Sequence, residues 1–275
     1  MSRGALLTAL LLLHAPGQGR AEDVPPGLAN AEVAQRAEAE FDEGVRLRQA
    51  ADKARPHFRA AAAYFDELRR RGARNATLFR NLGNAYLLAG DLPHAILSYH
   101  RGLRLAPRDR ALRDNLEQAR ALVTYPPGSN FGRPAADPAL AWLPRLGPGW
   151  LLAVAALLYA LAWVCLTRWL MVRRGRPLAL GLAALLAAAL ATAGLIVIHR
   201  VDEGEAARPL VVILDDGVLL RKGDGPAYPP RYDTPLNRGT EARRLFQRGE
   251  WLQVELAGGE VGWVSRHDVL VDTPE

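Results

Sequence analysis

Two uninterrupted apolar runs, residues 150–166 and 177–198, restrict what this chain can fold into more than any other feature of it. Neither contains a charge. Each meets the roughly 20 residues a helix needs to cross a bilayer, the first by extending past Arg168, whose long side chain can snorkel. Both read as transmembrane helices; buried helices of a soluble protein are the alternative. Between them, residues 167–176 carry Arg168, Arg173, Arg174 and Arg176 and no acid. By the positive-inside rule that loop is cytoplasmic, so the regions before and after the pair lie together on the opposite side.

The N-terminus agrees with this topology. Arg3, an apolar run over residues 5–13 and the breaker stretch Pro16-Gly17-Gln18-Gly19-Arg20-Ala21 have the order of a secretory signal, residues 1–21, with cleavage expected after Ala21. An uncleaved anchor is the other reading. A net charge of +6 raises the question of nucleic acid, but four of the positive charges belong to the membrane loop and the rest are interspersed with acids. Nucleic-acid binding is therefore set aside. The single cysteine, Cys165, falls inside the first apolar run, so an intrachain disulfide has no second thiol and a metal site no second ligand there.

Residues 22–123 are helical in pattern. Residues 31–49 and 53–71 are rich in Ala, Glu, Arg and Leu, with Phe41, Val45 and Leu47 on the first segment and Phe58, Ala61, Phe65 and Leu68 as a stripe on the second, closed by Gly72. The most specific stretch follows: Phe79, Leu82-Gly83 and Tyr86, then Ala95, Tyr99 and Pro107. These positions resemble a tetratricopeptide repeat, a two-helix unit of about 34 residues. Gly102 stands where that family usually has a second small Ala. Gly83 and Ala95 permit a close helix crossing, the aromatics fill the wider spaces beside it, and Asp91 and Pro93 suit the start of the second helix. The preceding helix pair looks like a degenerate repeat, and residues 108–123, with Leu112, Leu116 and Ala119, like a solvating cap helix. The resemblance implies a concave peptide-binding face lined here by Arg80, Asn84 and Leu87, joined by Asn115 on the cap helix. A common repeat residue at 84 and a solvated charge at 80 are the plainer readings.

Residues 124–148 hold six prolines and read as an extended, semi-rigid spacer, with Trp142 and Trp150 at the outer membrane interface. In the second apolar run Ala183, Ala187 and Ala191 form a small-residue strip against which the first can pack, giving a hairpin over residues 149–198. Residues 199–208 read as a second linker. No polar residue interrupts either span in a way that would suit a channel or transporter.

From residue 209 to 272 the periodicity becomes that of strands. Apolar runs at 210–214, 218–220, 242–246, 251–256 and 261–264 alternate with Gly223, Gly239, Gly249 and Gly258-Gly259, which implies a small closed barrel. The elements Arg248-Gly249-Glu250-Trp251-Leu252-Gln253-Val254 and Gly262-Trp263-Val264 resemble bacterial SH3-type domains. Trp263 and Val264 are expected in the core, and Trp251 in the core or on a groove wall. The insert 226–232 places Tyr228 and Tyr232 where that fold often builds a ligand groove, suited to a proline-rich or cell-wall peptide; local packing is the alternative.

The expected fold class is therefore multidomain: an all-α repeat, a two-helix membrane hairpin and an all-β SH3-like barrel. No phosphate-cradling loop, nucleophile elbow or zinc spacing occurs, and no cofactor or metal is expected, so the chain reads as a non-enzyme. Its order of signal, repeats, proline linker, membrane helices and barrel is similar to the BatE-type proteins of bacterial aerotolerance operons. That resemblance implies von Willebrand factor A-domain membrane proteins and a MoxR-type ATPase as neighbours. Three functions fit: an assembly scaffold at the outer face of the inner membrane, an envelope module gripping peptidoglycan through the barrel, and a sensor whose barrel ligand alters complex assembly.

Overall fold

Capping side chains set the starts of three of the helices in the first half of the chain. The computed structural model describes residues 24–25, 27–126, 131–134, 148–172 and 175–272. The signal segment, Trp142, Arg173, Arg174 and most of the proline-rich stretch lie outside these residues. Five helices come first: α1 (Asn30–Arg46), α2 (Ala51–Arg70), α3 (Ala76–Ala89), α4 (Leu92–Leu105) and α5 (Arg110–Ala121). The carboxamide of Asn75 accepts from the Leu78 N–H at 2.8 Å, and the carboxylates of Asp91 and Asp109 accept from His94 and Leu112 at 3.3 and 3.2 Å. Each supplies an oxygen to a first-turn N–H that has no partner within its helix. Gly90, at φ +89°, ends α3 in the left-handed conformation that favours glycine.

Consecutive helices pair antiparallel around small residues. A Cβ on Gly83 would collide with the Tyr99 ring, and one on Gly44 would meet Phe58 Cε1 at 2.8 Å. Val33, Ala37, Ala61, Phe65, Leu68, Phe79 and Leu82 share one buried cluster across α1, α2 and α3. The first pair thus packs like the second even though it lacks a Leu-Gly element.

After the apolar helices come β1 (Leu210–Ile213), β2 (Glu241–Arg248), β3 (Trp251–Leu256), β4 (Val261–Ser265) and β5 (Val269–Val271), in the antiparallel order β4-β3-β2-β1-β5. The closed barrel expected from the sequence is not formed: β4 and β5 end the sheet, and β4 is met only by an isolated bridge in which Trp263 and Arg221 exchange two backbone hydrogen bonds at 2.9 Å. The run at 218–220 makes only an isolated bridge, Val218 to Leu236, within residues 214–240. Pro226, Pro229, Pro230 and Pro235 interrupt that segment and cannot donate to a ladder. β5 pairs with β1 in register Val211 to Val271 and was not anticipated.

Inside the sheet, Val211, Ile213, Leu220, Leu252, Val254, Leu256 and Val264 form the core. All four residues of β1 are buried, because the strand is covered on both faces. Leu210 and Val212 turn away from that core into a second cluster with Leu92, Ile96 and Tyr99 of α4 and Leu112, Leu116 and Ala119 of α5. The helical region and the sheet consequently belong to one compact unit, although more than seventy residues separate them in the chain. The outer side of α5, with Arg110, Asp114, Glu117 and Ala121, stays exposed, and the sheet meets α4 and the Arg120 end of α5. Part of the expected spacer joins this unit too: Thr124 O accepts from Asn237 Nδ2 at 2.8 Å, and Phe131 meets the Tyr232 ring edge-on at 5.3 Å.

The second unit contains α6 (Pro148–Val172) and α7 (Gly175–Ala207). Segments Gly149–Met171 and Leu178–Val197 are long and apolar enough to cross a membrane. Their contact uses Ala155 and Ala162 against Ala184 and Ala188, with Gly181 beside Cys165. The buried strip is thus Gly181, Ala184 and Ala188; of the expected Ala183, Ala187 and Ala191, the first is exposed and the other two are partly buried at its edge. Residues 199–207, read as a linker, continue α7 as helix.

Candidate functional site

The concave-face candidates are assembled by α3 and α5. Gly83 lets α4 approach α3 closely enough for the Tyr99 ring to lie against it, which carries the Tyr99 hydroxyl to Asn84 Oδ1 at 2.9 Å. Asn115 of α5 donates its Nδ2 to the same oxygen at 2.8 Å. The structure therefore brings Asn84 and Asn115 together, but as members of an internal network and not as two independent ligand contacts. Tyr99 is fully buried, and loss of solvation pushes its hydroxyl pKa well above the ordinary tyrosine value, so it stays a neutral donor.

Arg80 is one turn before Asn84. Its guanidinium lies 3.9 Å from Asp109, the residue that also caps α5. Leu87, one turn after, is partly buried against the α4–α5 cluster. What this strip offers a ligand is the amide N–H pair of Asn84, the carbonyl of Asn115, the half-exposed Arg80 guanidinium and the edge of Leu87. A donor and an acceptor side by side match the alternation of an extended peptide backbone.

The SH3-like candidates do not form one groove. Tyr228 is 49% exposed, its ring lying over Gly223, where a Cβ would come within 2.6 Å of it. Arg221 Nη1 holds that loop by donating to the carbonyls of Pro226 at 3.1 Å and Tyr228 at 2.8 Å. Tyr232 is turned to the core instead, against Phe131. Trp251 is on the outer face of β3, half-buried, opposite Arg248 on one side and Ser265 on the other.

An aromatic cluster that sequence reasoning missed occupies that outer face. Val264 is core as expected, but its neighbour Trp263 points outward and is only partly buried. Phe246 meets Trp263 edge-on at 6.3 Å, and the Arg248 guanidinium sits 6.0 and 5.8 Å from the two ring centres. A register shift between Arg244 and Phe246 turns Phe246 to this face. Alternation within β4, with Trp263 between buried Gly262 and Val264, was the signal that could have placed Trp263 outside.

Between helices and sheet lies a buried charge cluster, also not anticipated. Glu241 of β2 accepts from Arg120 Nε and Nη2 at 2.7 and 2.9 Å and lies 2.8 Å from His100 Nε2. Asp272, 1% exposed, accepts from Arg101 Nε at 3.0 Å and is clasped by Arg104. Burial alone would raise the Glu241 pKa; the His100 and Arg120 charges and hydrogen bonds overcome it and hold the carboxyl at about 2. Burial likewise opposes the Arg120 charge, but hydrogen bonding and attraction from Glu241, then Glu117, keep its pKa above the ordinary arginine value. This cluster joins the helical part to the sheet. Among the described residues no three His, Cys, Asp or Glu side chains gather as metal ligands.

Comparisons of the chain with protein-family models, with curated proteins and with solved structures each return no match.

Proposed function

We propose that this chain is a membrane-anchored scaffold without catalytic activity, held at the outer face of a bacterial inner membrane, whose tetratricopeptide-like concave face receives a segment of a membrane partner. One observation carries the reading: the region before the two apolar helices and the sheet after them bury a common core and a common charge cluster. Two segments that share a core occupy the same side of a membrane, so the apolar helices between them cross an even number of times. The same inference follows independently from the arginine-rich connection. The product is one platform fixed to the bilayer, with its peptide-matching strip at Arg80, Asn84 and Asn115 on the helical part. The SH3-like sheet then serves first to cover α4 and the Arg120 end of α5, which ties the two parts into that platform. Resemblance to BatE-type proteins points to von Willebrand factor A-domain membrane proteins and a MoxR-type ATPase system as the partners to look for.

Crosslinking of tagged full-length protein in cells, followed by identification of what co-purifies, tests this. An Arg80→Glu, Asn115→Ala double variant is preferable to any change at 84, because Tyr99 keeps its acceptor. Specific membrane proteins captured by the wild type and lost in the variant are the expected result. Recovery of peptidoglycan fragments alone, unchanged by the variant, overturns the scaffold and favours envelope binding through the sheet.

A further inference from the structure

The outer face of the sheet is half covered. Leu210, Val212 and Glu241 are buried against α4 and α5, while on the same face Phe246 and Arg248 are exposed and Trp251 and Trp263 only partly buried. We propose that this open half is a membrane-contact surface, resting in the headgroup layer of the bilayer that holds the chain's own apolar helices. The proposal rests on the reading of α6 and α7 as membrane spans; it does not depend on the scaffold role.

Strand register is the first argument. Leu210, the first residue of β1, stands opposite Arg243 of β2. Beyond that point β2 runs on to Arg248, five residues or about 17 Å past the start of β1. Arg248 faces Trp251, Phe246 faces Gln253, and Gln253 faces Trp263. All three rings and the guanidinium are thus at the end of the sheet where the chain enters β1.

The chain entering there has just left the apolar span. Val197 is its last residue, α7 continues to Ala207, and only Arg208 and Pro209 intervene before Leu210. Ten helical rises and three extended steps reach no further than about 26 Å. The tether therefore keeps a lipid surface within reach of this end of the sheet.

The side chains suit such a surface. Tryptophan concentrates at membrane interfaces, where an apolar ring and a polar edge are both satisfied, and arginine can pair with lipid phosphate. Phe246 is 52% exposed, which costs contact with water if the face is solvated and nothing if lipid covers it. Arg248, although bonded to Asp224 at 3.0 Å, keeps most of its side chain exposed above the two rings.

Site-directed spin labelling of the full-length protein in liposomes of phosphatidylethanolamine and phosphatidylglycerol tests the proposal. In a Cys165→Ala background, single cysteines replace Leu186 within the span, Phe246 in the cluster, and Ala257 in the β3–β4 turn at the opposite end of the sheet. Accessibility to oxygen, which partitions into lipid, is compared with accessibility to a water-soluble nickel chelate. The expected oxygen-to-nickel ratio at 246 is several-fold above that at 257 and approaches that at 186. A ratio at 246 equal to that at 257, with 186 in lipid, overturns the proposal and leaves the anchor intact. A label at 246 shielded from both reagents also overturns it, since another protein then covers the face. A water-exposed label at 186 overturns the anchor itself, and the proposal with it.

Discussion

At position 83 one methyl group decides whether α3 and α4 can meet. Gly83 lies against a tyrosine ring that is fully buried and pinned through its hydroxyl to Asn84, so the ring has no free direction in which to yield. Gly83→Ala should destabilise the unit by about 2 kcal/mol through overpacking. For a unit of this size that lowers the thermal midpoint by roughly 4–8 °C, measurable by circular dichroism of the protein in detergent micelles. An unchanged midpoint would mean that Tyr99 is not fixed as described. The close approach at 83 was legible in the sequence because a small residue and a large one recur at repeat spacing. The mutual bonding of Asn84 and Asn115 was not, since two asparagines thirty-one residues apart look alike whether they face a ligand or each other. Trp263 misled for a related reason: tryptophan is commonly buried, and only strand alternation shows which way it turns.

Among the elements, β2 carries the feature with the plainest pH consequence. The Glu241 carboxyl titrates at about 2 in the folded chain, against an ordinary value of 4.5. A depressed pKa means stability fully present above pH 4.5 and lost progressively as pH falls from 4.5 toward 2. Glu241→Gln should cost roughly 2–4 kcal/mol at neutral pH, because Arg120 is left buried beside an uncharged partner. The variant should also lose less stability than the wild type across that acid window, which a series of thermal melts at stepped pH checks. Equal acid slopes in the two proteins would place the titrating carboxyl elsewhere. The strands themselves were mostly legible from apolar runs between glycines, β1 most clearly. The three residues of β5 were too short to register, and the bulge that turns Phe246 outward depends on pairing with β3, which a single strand's sequence does not encode. The continuation of α7 through residues 199–207 was read as linker because charge replaces apolar residues there, although Glu and Ala favour helix as readily as loop.

For the molecule as a whole, the union of helical region and sheet was the least legible property. Arg101, Arg104, Arg120 and His100 in one half, Glu241 and Asp272 in the other, have the composition of a solvated surface when each half is read alone. Only their complementarity in space makes them a buried seam, and β1's unbroken Leu-Val-Val-Ile was the one linear sign that both faces of a strand would be covered. With this seam in place, the membrane helices are not needed to keep the two halves together. Protease sites inserted at residues 140 and 208 of the full-length protein allow the hairpin to be excised in detergent. The helical fragment and the sheet fragment should then co-elute from a size-exclusion column as one species. Arg101→Glu with Arg104→Glu should separate them, because Asp272 would be buried against two like charges, and a third change, Asp272→Arg, should restore part of the association. Wild-type fragments that elute apart would remove the shared core. With it would go the structural support for placing both halves on one side of the membrane, leaving that topology to the arginines of the connecting loop alone.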